Sequence, residues 1–215
     1  MQRRFRIFSQ ILFVLAAVGI GVAQTSVSPY VALVFPETDG IKLHAAPVKS
    51  IQVGPLAVVL ETTILGAVSQ RFGGTMHNAG DAGDAVNWLC YAGNNAAQKP
   101  VVYWFASNNE MSSEDHSISQ VAVQSNPGGV APAGCGSAAV LATIDLGVPG
   151  VGTSLADVTK RLGAGKPDAK GFLSYQNERH VAGRGDKDSV TLQTVQYQIA
   201  GGVVVTVSVS QVTSD

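Results

Sequence analysis

The sequence predicts an α+β fold: two tandem repeats, each a short helix packed on a small antiparallel sheet. Three observations predict it. Residues 63–73 (TILGAVSQRFG) return as residues 153–163 (TSLADVTKRLG), so that Thr63, Leu65, Val68, Arg71, Phe72 and Gly73 match Thr153, Leu155, Val158, Arg161, Leu162 and Gly163 at an offset of 90. Leu89 and Tyr91 match Leu173 and Tyr175 at an offset of 84, and Val121 and Val123 match Val205 and Val207 at the same offset. The recurring stretches also change period, from helical spacing in the first to alternation in those that follow. A duplication of this length marks a repeated supersecondary unit.

The first residues predict an address. Arg3, Arg4 and Arg6 precede an uncharged apolar run from Ile11 to Val22, closed by Gly21 and Ala23. A basic start, an apolar core and a small-residue end read as a secretory signal peptide over residues 1–23, cleaved near Ala23. The run is too short to span ~30 Å of hydrocarbon. No cysteine follows it directly, so a lipid-anchored N-terminus is not available. The expected location is periplasmic or secreted, with no stable membrane anchor after cleavage. Losing those three arginines takes the 14 basic residues to 11, against 15 acidic ones, a net charge of −4. No basic stripe remains, which argues against nucleic acid as a partner. With 46% hydrophobic and 13% charged residues, the chain has material for a packed core rather than for disorder.

Residues 24–52 form a polar lead-in. The first unit spans 53–125. Leu65, Val68 and Phe72 share one helical face, Thr62 and Thr63 offer hydroxyls for the free N–H groups at the start, and Gly73 stops the helix. Strands are expected at 87–91, 101–105 and 118–124, joined by polar hairpin connections. Residues 126–139, with Pro127, Gly128, Gly129 and Pro132, read as a linker. The second unit spans 140–215: a short strand at 140–146, then a helix whose Ser154 and Asp157 fit a capping box. Strands follow at 172–175, 190–199 and 203–209. In the last one the valines at 203, 205, 207 and 209 are expected to face one way.

Cys90 and Cys135 are the only cysteines. In an exported chain two thiols read first as one disulfide, closing a loop of about 46 residues worth ~4 kcal/mol in the chain-entropy model. A reactive thiol or a pair of metal ligands are the alternatives, but no His or Asp pattern lies beside Cys135 to activate it.

The helix pattern, the Leu-x-Tyr strand and the hairpin after it resemble the unit shared by bacterial β-lactamase inhibitor proteins and the SmpA/OmlA outer-membrane assembly lipoproteins. Thr153, Leu155, Val158, Leu162, Gly163, Pro167, Leu173 and Tyr175 carry the resemblance, with Thr63, Leu65, Val68, Phe72, Gly73, Leu89 and Tyr91 as a weaker copy. It covers roughly residues 55 to 125 and 145 to 210. The tandem arrangement is similar to the inhibitor proteins. The resemblance implies a protein-binding role, either in envelope assembly or in inhibition of an exported enzyme.

Binding residues are sought among the aromatics. Trp88 and Cys90 share one strand face, opposite Leu89 and Tyr91, whose duplicates Leu173 and Tyr175 mark the core side. Trp88 is therefore expected on an open face with Gln120 and Gln124, beside a second strand carrying Tyr103 and Trp104, whose facing stays open. Aromatics on a sheet face are typical anchors; the alternative is that the linker or the other half covers them, since only large exposed patches signal a partner. His77, Asp81 and Asp84 share a turn-forming loop without the spacing of a metal motif, and no metal or cofactor is expected. Glu110, Glu114, Asp115 and His116 crowd one polar loop that offers no wall to shift their pKa values. Arg184, Gly185 and Asp186 read as a hairpin tip. No nucleophile elbow or phosphate loop is present. The expected function is that of an exported, non-enzymatic module binding another envelope or secreted protein. The alternatives are an exported hydrolase or metal-dependent enzyme with a loop-built site, or a small-ligand binder between the two units.

Overall fold

The computed structural model describes residues 39–80, 85–108, 116–141, 143–182 and 188–214. The expected signal peptide, most of the lead-in, Asp81, Asp84, Glu110, Glu114, Asp115 and residues 184–186 lie outside them. The chain runs through β1 (Ile41–Lys42), β2 (Ile51–Val53), β3 (Leu56–Val58), α1 (Leu65–Phe72), β4 (His77–Ala79), β5 (Val86–Asn94), β6 (Pro100–Ser107) and β7 (Gln120–Ser125). It continues through β8 (Gly136–Ser137), a 3-10 turn (Ala138–Leu141), β9 (Ile144–Asp145), α2 (Leu155–Leu162), β10 (Phe172–Ala182), β11 (Asp188–Ala200) and β12 (Val203–Ser214).

The expectation of two separate helix-plus-small-sheet units is wrong. The fold is dominated by one mixed nine-stranded sheet in the order β1-β10-β11-β12-β7-β6-β5-β4, with β8 beside β5. A three-stranded sheet, β3-β2-β9, accompanies it. The two helices have eight residues each. The physical reason lies at β7 and β12. In separate sheets each would expose a row of unpaired N–H and C=O groups. They pair with one another instead, antiparallel, with Val121 opposite Val209 and Val123 opposite Val207.

The recurrence in the sequence marks repeated bonding within this single sheet. The Tyr91 hydroxyl donates to the Gly73 carbonyl (2.6 Å) and the Tyr175 hydroxyl to the Gly163 carbonyl (2.8 Å). Each glycine ends its helix at positive φ, 72° and 118°, and each leaves a carbonyl that a tyrosine satisfies. The N–H of Leu65 donates to the His116 carbonyl as that of Leu155 does to Gly202. Edge-to-face pairs also recur, Tyr91 on Phe105 and Tyr175 on Tyr197. Losing one such hydroxyl, in Tyr91→Phe or Tyr175→Phe, is expected to lower the unfolding free energy by about 1 kcal/mol. Chemical denaturation reads this, and no change in either variant would mean that water replaces the bond without loss.

The helix starts differ. Ser154 caps α2 as expected, its oxygen accepting from the Asp157 N–H while its hydroxyl donates to the Asp157 carboxylate. No side chain caps α1; the Thr63 hydroxyl oxygen turns back and accepts from the Val59 N–H. A short helix of this kind holds only through packing, and Leu65, Val68 and Val158 are fully buried against the sheet.

Two register expectations need correction. Phe105 pairs with Val121 and Tyr197 with Val207, while Leu89 pairs with Phe105 and Leu173 with Tyr197. Val121 therefore corresponds to Val207, two residues beyond the offset of 84. The valines of β12 also do not all face one way. A bulge beside Gln198 and Ile199 shifts the register, so that Val204, Val207 and Val209 enter the core while Val203 is 40% exposed. A bulge inserts one unpaired residue and reverses the alternation beyond it.

The main core lies between one face of the large sheet and its cover. Leu89, Tyr91, Tyr103, Phe105, Val121, Val123, Tyr175, Val195 and Tyr197 meet Ile51, Val53 and Val58 of the small sheet and the apolar sides of both helices. Burial raises the Tyr91 hydroxyl pKa to about 12. It also raises those of Tyr103, Tyr175 and Tyr197, the last with help from neighbouring Tyr175. These phenols are neutral donors at physiological pH.

Candidate functional site

The second face of the large sheet is set by alternation on the same strands. Register places its residues in rows that cross the β7–β12 seam. One row runs Gln176, Thr194, Ser210, Gln120, Ala106, Trp88. The next runs Ser174, Gln196, Ser208, Ala122, Trp104, Cys90, and a third includes Gln198, Thr206, Gln124 and Val102. The face thus has two halves. From β10 to β7 these rows are mostly hydroxyl and amide with no charged side chain, the exceptions being Phe172, which pairs with Gln198 at the β10 end of the third row, and Ala122 on β7; on β6 and β5 the face is aromatic and apolar.

The aromatic half is not open, contrary to the sequence expectation. Trp88 is 4% exposed and Trp104 2%, in a second apolar cluster with Val86, Cys90, Val102, Ala106 and Ala122. Cys135 packs against this cluster and is bonded to Cys90, so the residues following β7 are strapped to β5 by a disulfide. His77 stacks on Trp88 with centroids 5.5 Å apart, and its Nε2 lies 3.1 Å from the Gly134 carbonyl. Gly134 has a φ of 82°, and a Cβ there would meet the His77 ring. Trp88 and Trp104 are therefore interior side chains under a strap. Tyr103 is on the opposite, core face, and Trp104 is the member of its strand that shares the face of Trp88.

The polar half is tied across the seam. Gln120, 4% exposed, donates from Nε2 to the Ser208 hydroxyl (2.7 Å) and accepts from the Asn108 amide (3.1 Å). The Thr206 hydroxyl donates to the Gln198 carbonyl oxygen (3.3 Å). Ser174, Thr194, Thr206 and Ser208 are buried, and the polar side chains of this half that reach the surface are the half-buried Gln124, Gln176, Gln196, Gln198 and Ser210. Three buried donors on this face, Trp88 Nε1, Trp104 Nε1 and Ser174 Oγ, have no acceptor among the described residues. Each such orphan costs about 1–3 kcal/mol of desolvation. The sequence reading missed Ser174, Gln196, Gln198, Thr206 and Ser208. Their signal was the polar member of each alternating pair in β11 and β12, passed over because the valines carried the repeat.

Of the loop residues offered as chemistry, His77 and His116 lie among the described residues. His77 is spent on Trp88 and the strap. His116 accepts at Nδ1 from the Asn87 amide (3.2 Å) and sits at a φ of 45°. Among the described residues no group of three His, Cys, Asp or Glu side chains gathers where a metal ion could sit. Two clefts lie on the core side of the sheet. One of about 500 Å³ is walled by His44, Lys49, Val58, Asn177, Arg179 and Gln193. Its back is fixed by Gln193, whose carboxamide both accepts from and donates to the Val48 backbone. The other, about 520 Å³, lies between the β5–β6 hairpin and residues 143–153.

No protein family, curated protein or solved structure matches this chain.

Proposed function

We propose that the chain is an exported, non-catalytic module that binds another envelope or secreted protein across the polar half of the second sheet face. One observation carries the reading: three adjoining, mainly polar rows without charge, whose half-buried Gln124, Gln176, Gln196, Gln198 and Ser210 lie on a sheet made continuous by the β7–β12 seam. Such side chains offer donors and acceptors to a partner at lower desolvation cost than ions, and protein interfaces are depleted of charge at their centres. With Trp88 and Trp104 under the strap, the aromatic side chain these rows contribute is the half-buried Phe172 at the β10 end. The disulfide fits an oxidising compartment, as the basic and apolar first residues do. The resemblance to inhibitor and assembly proteins points to the same class of role.

Gln124→Lys sets a charge in the middle of this lattice. It is expected to reduce capture of the partner from native envelope extract by roughly tenfold, the cost of one poorly compensated buried charge, with an unchanged unfolding midpoint. Capture at wild-type level by the folded variant would rule out this face.

A further inference from the structure

The cleft between the β5–β6 hairpin and residues 143–153 lies on the side of the sheet opposite the proposed partner face. Its floor is Tyr103 and Val123; Ile144, Leu146, Val148 and Val151 give it apolar walls. Asn95 holds the mouth together. Its carbonyl oxygen accepts from the Ala97 and Lys99 N–H groups, and its amide donates across to the Val151 carbonyl. The site is therefore built before any ligand arrives.

Tyr103 is the unusual member. It is 7% exposed, and among the described residues no hydrogen bond engages its hydroxyl. The other half of the sheet supplies an internal control. Tyr91 pairs with Tyr103 where Tyr175 pairs with Val195, so a valine, fully buried, fills the corresponding place. The fold does not need a hydroxyl there. The hydroxyls it does need, on Tyr91 and Tyr175, are spent on helix ends.

We infer that this cleft binds a neutral small molecule with an apolar body and a carbonyl group that accepts from the Tyr103 hydroxyl. Its volume, about 520 Å³, is that of a small-molecule pocket. The charge of the ligand follows from the lining. No Lys, Arg or His contributes to it, and its one ionisable carboxyl, Asp145, accepts from the Gly147 N–H. An anion would find no counter-charge and would meet that carboxylate. A neutral amide or ketone carbonyl can accept from the Tyr103 hydroxyl without bringing a charge into the cleft.

Benzamide is a suitable probe, with benzoate as its charged counterpart, read by the methyl resonances of the mature protein. Benzamide is expected to shift the Val123, Ile144, Leu146 and Val151 methyls saturably, and benzoate to bind more weakly. Tyr103→Phe removes one oxygen and no volume, and is expected to weaken benzamide binding roughly three- to tenfold, one hydrogen bond's worth. Val151→Trp, at the half-buried wall, is expected to block the cleft and abolish the shifts. The inference is overturned if benzamide gives no saturable shift, if the shifts centre elsewhere, or if Tyr103→Phe binds it as well as the wild type. Gln124→Lys, on the other face, is expected to leave benzamide binding intact, which separates failure of this site from failure of the partner face.

Discussion

Trp88→Ala is expected to lower the unfolding free energy by about 3–5 kcal/mol, the usual cost of removing a buried large aromatic. The indole is 4% exposed, stacked on His77 and packed among Cys90, Trp104 and Ala106. No small residue can refill that volume beneath a strap whose position is fixed by a disulfide. Trp88→Phe should cost far less, because part of what it removes is an N–H that finds no acceptor among the described residues. Urea unfolding of both variants checks the pair. A Trp88→Ala variant as stable as wild type would return this residue to the surface, where the sequence reading set it.

Removing the disulfide is the second large effect. Cys90 and Cys135 are 45 residues apart, and opening a loop of that length is worth about 4 kcal/mol in the chain-entropy model. The Cys90→Ala, Cys135→Ala double variant carries a further loss, since Cys90 is 2% exposed within the second cluster. Without the bond, the residues after β7 keep the Asn126 N–H bond to the Pro100 carbonyl, the His77 contact, the short β8 ladder and packing. The double variant is therefore expected to melt at lower temperature and to protect its indoles less from acrylamide quenching. Quenching equal to that of the wild type would mean that the strap stays in place without its staple.

The sequence made local features legible and left the assembly hidden. The duplicated Leu-x-Tyr pair marked the core side of β5 and β10, because a residue repeated in two places is held there by the same bond, here to a helix-ending glycine carbonyl. The cysteine pair was legible from its count and from the compartment the first residues led us to expect. The joining of the sheet was not. Alternation shows that a strand has two faces and says nothing of its neighbour, and the β7–β12 ladder links residues more than eighty positions apart. The β12 bulge left no trace in a run of valines, since every one of them is apolar whichever way it points. The binding face was misjudged for a related reason. Trp88 and Gln120 do share a face, and the expected Cys90–Cys135 bond already drew the linker toward the side of Trp88 and Cys90; alternation alone could not decide between an open face and one covered by that linker, and the structure has the cover over the aromatic half.

The proposed function stands on where a partner touches. The most direct measurement is site-specific photo-crosslinking in the native envelope, with the reactive residue at position 124 on the polar sheet face and, separately, at Gln70 on the exposed side of α1. The account predicts one dominant protein captured from position 124, absent from position 70, and lost when Gln198→Lys is added beside it. Capture of the same proteins from both positions, or none from position 124 in a folded and exported chain, would contradict it.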